Sequence, residues 1–169
     1  MKLIALPGRD QATEPWLAEI IRLVATSGDT VDQLHYRHWD EPGELDVVHE
    51  ASRIADSQCD LVIAKSLGTL IALTAFQQSR FRPDRAVFIG IPFKHYSAEH
   101  LQLLREFAVA TPALFIQQTA DITGRFDALN ASYADIAEIV EVPGNDHFYG
   151  DVEQLKKLIS AWLAQAAVI

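Results

Sequence analysis

The sequence predicts an α/β fold: a three-layer α/β/α sandwich on a mostly parallel, six-stranded sheet. Two observations predict it. Short apolar segments alternate strictly with longer segments of helical spacing, and no linker, repeat or low-complexity stretch interrupts them. In addition, the run Leu61-Val62-Ile63-Ala64 is rich in β-branched residues and has no polar alternation, as in a strand covered on both faces. At 169 residues the chain is long enough for one sizeable core and short for two, so a single domain over 1–169 is expected.

Each element has a local reason. Lys2 to Leu6 is a short apolar strand stopped by Pro7-Gly8. Thr13 can cap a helix whose first turn tolerates Pro15; Leu17, Ile20, Ile21 and Val24 follow at helical spacing, and Ser27-Gly28 supplies the stop. Thr30 to Tyr36 reads as the second strand. After the turn Glu41-Pro42-Gly43, Leu45, Val48, Ser52 and Ala55 fall along one helical face. The strand Leu61 to Ala64 and a helix after Gly68 come next. Arg85 to Ile91 is the fourth strand, ending at Pro92, and Ser97 opens a helix carrying Leu101, Leu104 and Ala108. Ala113 to Gln118 is the fifth strand, followed by a helix from Arg125. Ala137 to Val142 is the sixth. The last helix begins near Asp151, with Gln154 three residues on as in a capping box, and Val152, Leu155, Ile159, Trp162 and Leu163 form its buried face.

Composition narrows the partners. A formal net charge of −9 argues against nucleic acid or an anionic membrane held by general electrostatics. Cys59 is the only cysteine, so no internal disulfide is possible and a reducing compartment is expected. No apolar run reaches membrane-spanning length, and the segment Met1 to Gly8 lacks a signal-peptide pattern, so a cytoplasmic location is expected. Cys59 precedes its strand, away from the edge described next, and is expected to be inert.

Right-handed crossovers put every loop that follows a strand on one edge of a parallel sheet, the usual ligand edge. Gly8-Arg9, Ser66, Pro92-Phe93, Asp121 and His147 each lie just past a strand's end. No loop separates the central strand from its helix, so the chain turns at Ser66 within about three residues. Ala64 and Gly68 flank Ser66 at minus two and plus two, where a larger side chain would collide with neighbouring backbone. A serine hydroxyl needs a base to become a nucleophile, imidazole suits that role near neutral pH, and a carboxylate fixes its tautomer. Ser66, Asp121 and His147 supply the set in that order. Asp146, adjacent to His147, is poorly placed to orient the ring, and the loop Gly90 to Lys94 carries no carboxylate. The backbone N–H groups of Leu67 and Arg9 are the expected donors to a tetrahedral oxyanion, with Gly8 allowing close approach.

On these residues the chain resembles a small, lidless member of the α/β-hydrolase superfamily. Ala64-Lys65-Ser66-Leu67-Gly68 is similar to that superfamily's Gly-x-Ser-x-Gly elbow, and the order nucleophile, acid, histidine is the superfamily's order. Leu6-Pro7-Gly8-Arg9 stands where many members carry a His-Gly oxyanion loop, Gln118-Thr119-Ala120-Asp121 where they carry Gly-x-x-Asp, and Gly144-Asn145-Asp146-His147 where they carry Gly-x-x-His. The likeness covers essentially the whole chain, with departures at Ala64, Pro7 and Gln118; two short N-terminal strands of larger members are missing. It implies hydrolysis of a small-molecule ester or thioester, with no metal or cofactor. Gly8, Phe93 and Tyr96 are candidates for lining the substrate pocket, the latter two equally for plain packing. The gap Pro92 to Ser97 is too short for a cap domain, so an open site and small substrates are expected.

Blander readings stand beside these. Ser66 would otherwise cap a buried helix, and Asp121 would be a turn residue. Lys65 is expected to be a solvated side chain, able with Arg9 to attract an acidic substrate. His35, His38, His49, His95 and His100 show no metal-ligand spacing on a shared face. The competing function is a scaffold or binding module that keeps the fold and the constellation without turnover. A nucleotide-binding domain is disfavoured, because neither Gly8 nor Gly68 opens a phosphate-cradling glycine pattern. Oligomeric state is not legible in the chain.

Overall fold

In the computed structural model, which describes residues 1–165, the apolar runs pair as one all-parallel sheet. Its strands are β1 (Lys2–Leu6), β2 (Thr30–Gln33), β3 (Leu61–Lys65), β4 (Arg85–Ile89), β5 (Ala113–Gln118) and β6 (Glu138–Val142), in the spatial order β2-β1-β3-β4-β5-β6. Six helices connect or follow them: α1 (Thr13–Val24), α2 (Val47–Ser52), α3 (Leu67–Gln78), α4 (Ala98–Ala110), α5 (Phe126–Tyr133) and α6 (Val152–Gln165). The chain leaves β1 toward one edge of the sheet and leaves β3 toward the other. The crevice between the carboxyl ends of those two strands is therefore the topological switch point of the sheet.

The core lies in two layers. On one face α2, α3, α4 and α5 cover Ile4, Val62, Ala86, Phe88 and Phe115, with Phe88 stacked on both Phe107 and Phe115. On the other, Leu17, Ile20 and Ile21 of α1 and Leu155, Ile159 and Trp162 of α6 cover Leu3, Ile63, Val87 and Leu114. Each buried Val, Leu, Ile or Phe among them contributes about 1.5–3 kcal/mol of transfer free energy. Helix α3 follows the central strand and is buried along most of its length, so it carries apolar residues on every side rather than one stripe. No helix among the described residues is long and apolar enough to cross a membrane.

Two expectations are corrected. The second strand stops at Gln33 rather than running to Tyr36: the Leu34 N–H still donates to the Ala5 carbonyl at 3.0 Å, and the chain then leaves the ladder for a 3₁₀ turn at Arg37–Trp39. Tyr36 stays buried there, its hydroxyl donating to the Pro7 carbonyl at 2.6 Å. The helix expected to bury Leu45, Val48, Ser52 and Ala55 instead buries Glu50, Ala51 and, just beyond its end, Ile54, and leaves Val48 58% exposed. Glu50 can be inside because its carboxylate accepts from the Arg37 N–H at 2.9 Å and from Arg53 Nη1 at 2.6 Å.

Candidate active site

The turn at Ser66 is as tight as the spacing requires. Ser66 adopts φ 52° and ψ −122°, a conformation few non-glycine residues occupy, and its N–H still pairs with the Ile89 carbonyl at 3.0 Å. A Cβ on Gly68 would stand 2.2 Å from the Leu6 carbonyl oxygen and 2.5 Å from that of Pro7, so only glycine lets α3 start this close to β1.

Ser66, Asp121 and His147 come together from the loops after β3, β5 and β6. Ser66 Oγ lies 2.8 Å from His147 Nε2, and His147 Nδ1 lies 2.8 Å from Asp121 Oδ2 and 3.0 Å from Oδ1. The Asp121 side chain is fully buried and that of His147 is 18% exposed, so the imidazole bridges interior and cleft. Asp121 accepts three further hydrogen bonds, from the Thr123 N–H at 2.8 Å, the Thr123 hydroxyl at 2.7 Å and the Tyr149 hydroxyl at 2.7 Å. Burial alone would raise its pKa, but the bonds from His147, Thr123 and Tyr149 outweigh it and hold the carboxyl down at about 2. An ionised carboxylate on Nδ1 keeps the ring proton there and leaves the Nε2 lone pair facing the serine.

His147 and Tyr149 both have positive φ, 64° and 58°, and β5 holds them in it. Gln118 accepts from the His147 N–H at 2.8 Å through Oε1 and donates to Asp146 at 2.9 Å through Nε2. The Gln118 N–H in turn donates to the Tyr149 hydroxyl at 2.8 Å. Gln118, which departs from the superfamily's glycine, is thus the strut of the histidine loop, and Asp146 is engaged with it rather than with the ring. Tyr149 and Thr123, unmarked in the sequence reading, complete the surroundings of Asp121. Their only sequence signal is position, two residues beyond His147 and Asp121.

On the other side of the serine, a Cβ on Gly8 would lie 3.4 Å from Ser66 Cβ, which places the loop after β1 directly against the elbow. The neighbouring carbonyls of that loop are fixed from outside. Pro7 O accepts from the Tyr36 hydroxyl at 2.6 Å, and Arg9 O accepts from His38 Nε2 and Trp39 Nε1, both at 2.9 Å. The peptide carrying the Arg9 N–H is therefore bracketed by two anchored ones. Among the described residues no protein acceptor pairs with the N–H of Arg9 or of Leu67.

A cleft of about 280 Å³ opens over Ser66 and His147 and is lined by Gly8, Arg9, Asp10, Ala12, Thr13, Trp16, Lys65, Asp146 and Phe148 as well. Phe93 and Tyr96, two of the candidates for the substrate pocket, do not line it. Phe93 packs under Gly124 in a separate depression, and Tyr96 is buried beside α3 with its hydroxyl on that of Thr69. The 3₁₀ turn after Pro92 packs both rings against the core layer of α3, α4 and α5 instead. Lys65 also departs from expectation: it is 2% exposed, because the position before the turn is enclosed on both sides. Among the described residues no group of three or more His, Cys, Asp or Glu side chains could hold a metal ion.

No family model and no curated protein matches the chain, whereas solved structures do. A Xanthomonas campestris protein assigned to the alpha/beta superfamily of hydrolases superposes with a TM-score of 0.71 at 16% identity, over 97% of this chain and 98% of that one. An alpha-beta serine hydrolase homologue from Coxiella burnetii gives 0.71 at 18% identity, over 96% of this chain and 84% of its own. An esterase from Pyrococcus furiosus gives 0.67 at 13% identity, over 97% and 81%. Among the described residues only a single 3₁₀ turn, Phe93–His95, stands between β4 and α4 where a cap would be inserted. The chain has the α/β-hydrolase fold, in a small form that shows no cap domain among the described residues.

Proposed function

We propose that the chain is a serine hydrolase that cleaves a small ester or thioester through an acyl-enzyme. The observation that carries this reading is the unbroken hydrogen-bonded line from Ser66 Oγ through His147 to buried Asp121, at 2.8 Å for each link. In it His147 Nε2 takes the Ser66 proton as Oγ bonds to the acyl carbon. The carbonyl pair moves to oxygen, and the N–H groups of Leu67 and Arg9 receive that oxyanion. The imidazolium then protonates the departing alcohol or thiol, and a water repeats the sequence to release the acid. Asp121 stays ionised throughout and stabilises the imidazolium. Structural neighbours named as an esterase and as a serine hydrolase homologue support the same chemistry. The modest, open cleft favours a short acyl group.

A fluorophosphonate probe tests the nucleophile: the wild-type protein labels and Ser66→Ala does not. Equal labelling of the two, or none of the folded wild type, overturns the assignment. Hydrolysis of p-nitrophenyl acetate and of a short acyl thioester, compared with long-chain esters, tests the substrate class; preference for long chains counts against it.

A further inference from the structure

Lys65 stands in an unusual place. It immediately precedes Ser66, is 2% exposed, and sends Nζ to within 3.3 Å of His147 Nε2 and 3.0 Å of the His147 carbonyl oxygen. The rings of Tyr149 and Trp16 flank the amine at 4.9 Å and 6.0 Å to their centroids. Gly90, at φ 63°, leaves the space for it: a Cβ there would lie 2.7 Å from the Tyr149 ring and 3.1 Å from Nζ. The groups facing it are Ser66 on its own turn, Trp16 from α1, Gly90 after β4, and His147 and Tyr149 after β6. Asp121 and Asp146 act on it only from a distance, and no carboxylate among the described residues forms an ion pair with it.

This geometry sets two donors against one lone pair. With its proton on Nδ1, His147 offers Nε2 to Ser66 Oγ–H, yet an ammonium at 3.3 Å competes for the same lone pair. When Nε2 takes the serine proton, that ammonium faces an imidazolium with no carboxylate between them. A neutral amine removes both conflicts, because it can accept from Nε2–H through its own lone pair. We propose that Lys65 is a positioning residue for His147: its ammonium form holds the imidazole unproductive, and loss of its proton to solvent releases the ring to serve Ser66. The inference rests on the reading of Ser66 and His147 as nucleophile and base. Burial lowers the Lys65 pKa to about 8 against the pull of Asp121 and Asp146, so release falls in an accessible range. Activity therefore rises as pH increases through that value.

The test is the pH–rate profile of p-nitrophenyl acetate hydrolysis for wild type, Lys65→Met and Lys65→Arg. Wild type is expected to gain roughly tenfold in kcat between pH 7 and pH 9 through a limb centred near 8. Lys65→Met should lose that limb and exceed wild type at pH 7, whereas Lys65→Arg, which stays charged, should remain low at every pH. Fluorophosphonate labelling rates across the same pH range give a second readout with the same expected order. A limb near 8 that persists in Lys65→Met, or a Lys65→Arg as active as wild type, overturns the inference while Ser66-dependent labelling still stands. Loss of Ser66-dependent labelling in wild type overturns the underlying mechanism instead.

Discussion

Asp121→Asn changes one atom and reverses the direction of a hydrogen bond. Asp121 Oδ1 receives the Thr123 N–H and hydroxyl, so the amide oxygen of asparagine belongs there, since a backbone N–H can only donate. The amide nitrogen then takes the place of Oδ2, 2.8 Å from His147 Nδ1. Two N–H groups cannot face each other at that distance. The imidazole is driven to the Nε2–H tautomer, and the lone pair that Ser66 needs is gone, a loss of roughly 10³- to 10⁴-fold in kcat. The substitution has a second signature. The carboxyl sits at about 2 in the folded chain against 3.8 in its absence, so ionised Asp121 contributes about 2 kcal/mol of stability. The folded value lies below the unfolded one. That contribution is therefore full above 3.8 and is lost as pH falls toward 2. Steady-state hydrolysis at neutral pH measures the first effect, and urea unfolding of both proteins from neutral to acid pH measures the second. A kcat within tenfold of wild type, or an acid-induced loss of stability as steep in Asp121→Asn as in the parent, would refute the reasoning.

Three further outcomes follow from the same geometry. Ser66→Gly and Ser66→Ala both remove the hydroxyl, but only glycine relaxes φ 52°, so the glycine variant should be the more stable by about 1 kcal/mol, or roughly 2–4 °C in Tm by calorimetry. Gly68→Ala, which in an ordinary helix would stabilise, should instead cost about 1–3 kcal/mol in denaturant unfolding, because its methyl meets the Leu6 carbonyl at 2.2 Å. Trp39→Phe removes one of the two donors to the Arg9 carbonyl, so kcat for ester hydrolysis should fall roughly three- to tenfold with KM nearly unchanged, well short of the 10²- to 10³-fold expected for losing an oxyanion donor outright.

What the sequence made legible is what depends on local pattern. The runs Leu61 to Ala64 and Ala113 to Gln118 read as enclosed strands because burial on two faces leaves no room for polar alternation. Ser66 read as a turn residue because no loop separates strand from helix there and small residues, Ala64 and Gly68, flank it. Legibility ended where one residue's place is decided by a distant partner. Glu50 is inside because Arg53 and the Arg37 amide meet it, and no helical periodicity would put a glutamate there. Phe93 and Tyr96 follow β4, the place expected of pocket residues, but a 3₁₀ turn packs them against the core layer of α3 to α5. Lys65 could have been placed: it closes a strand enclosed over its whole length, and enclosure does not end one residue early for a charge. Gln118 and Tyr149 were out of reach, because their partnerships arise only once the His147 loop takes up its positive-φ path, whereas Thr123 bonds Asp121 two residues back within a local turn.

Gly90 stands between the two groups of loops. One holds Ser66, Lys65 and the segment after β1, and is fastened by Tyr36, His38 and Trp39. The other holds Asp121, His147 and Tyr149, and is fastened by Gln118 and Thr123. Position 90, at φ 63°, has no side chain to keep them apart, and a Cβ there would press on Lys65, His147 and Tyr149 together. Each half has its own braces, and few side-chain bonds cross this seam: besides the Ser66–His147 contact, Lys65 Nζ donates to the His147 carbonyl and Trp16 Nε1 to that of Tyr149. Mild warming or dilute denaturant opens such a junction before the sheet yields, so turnover should fade while far-ultraviolet ellipticity is still intact.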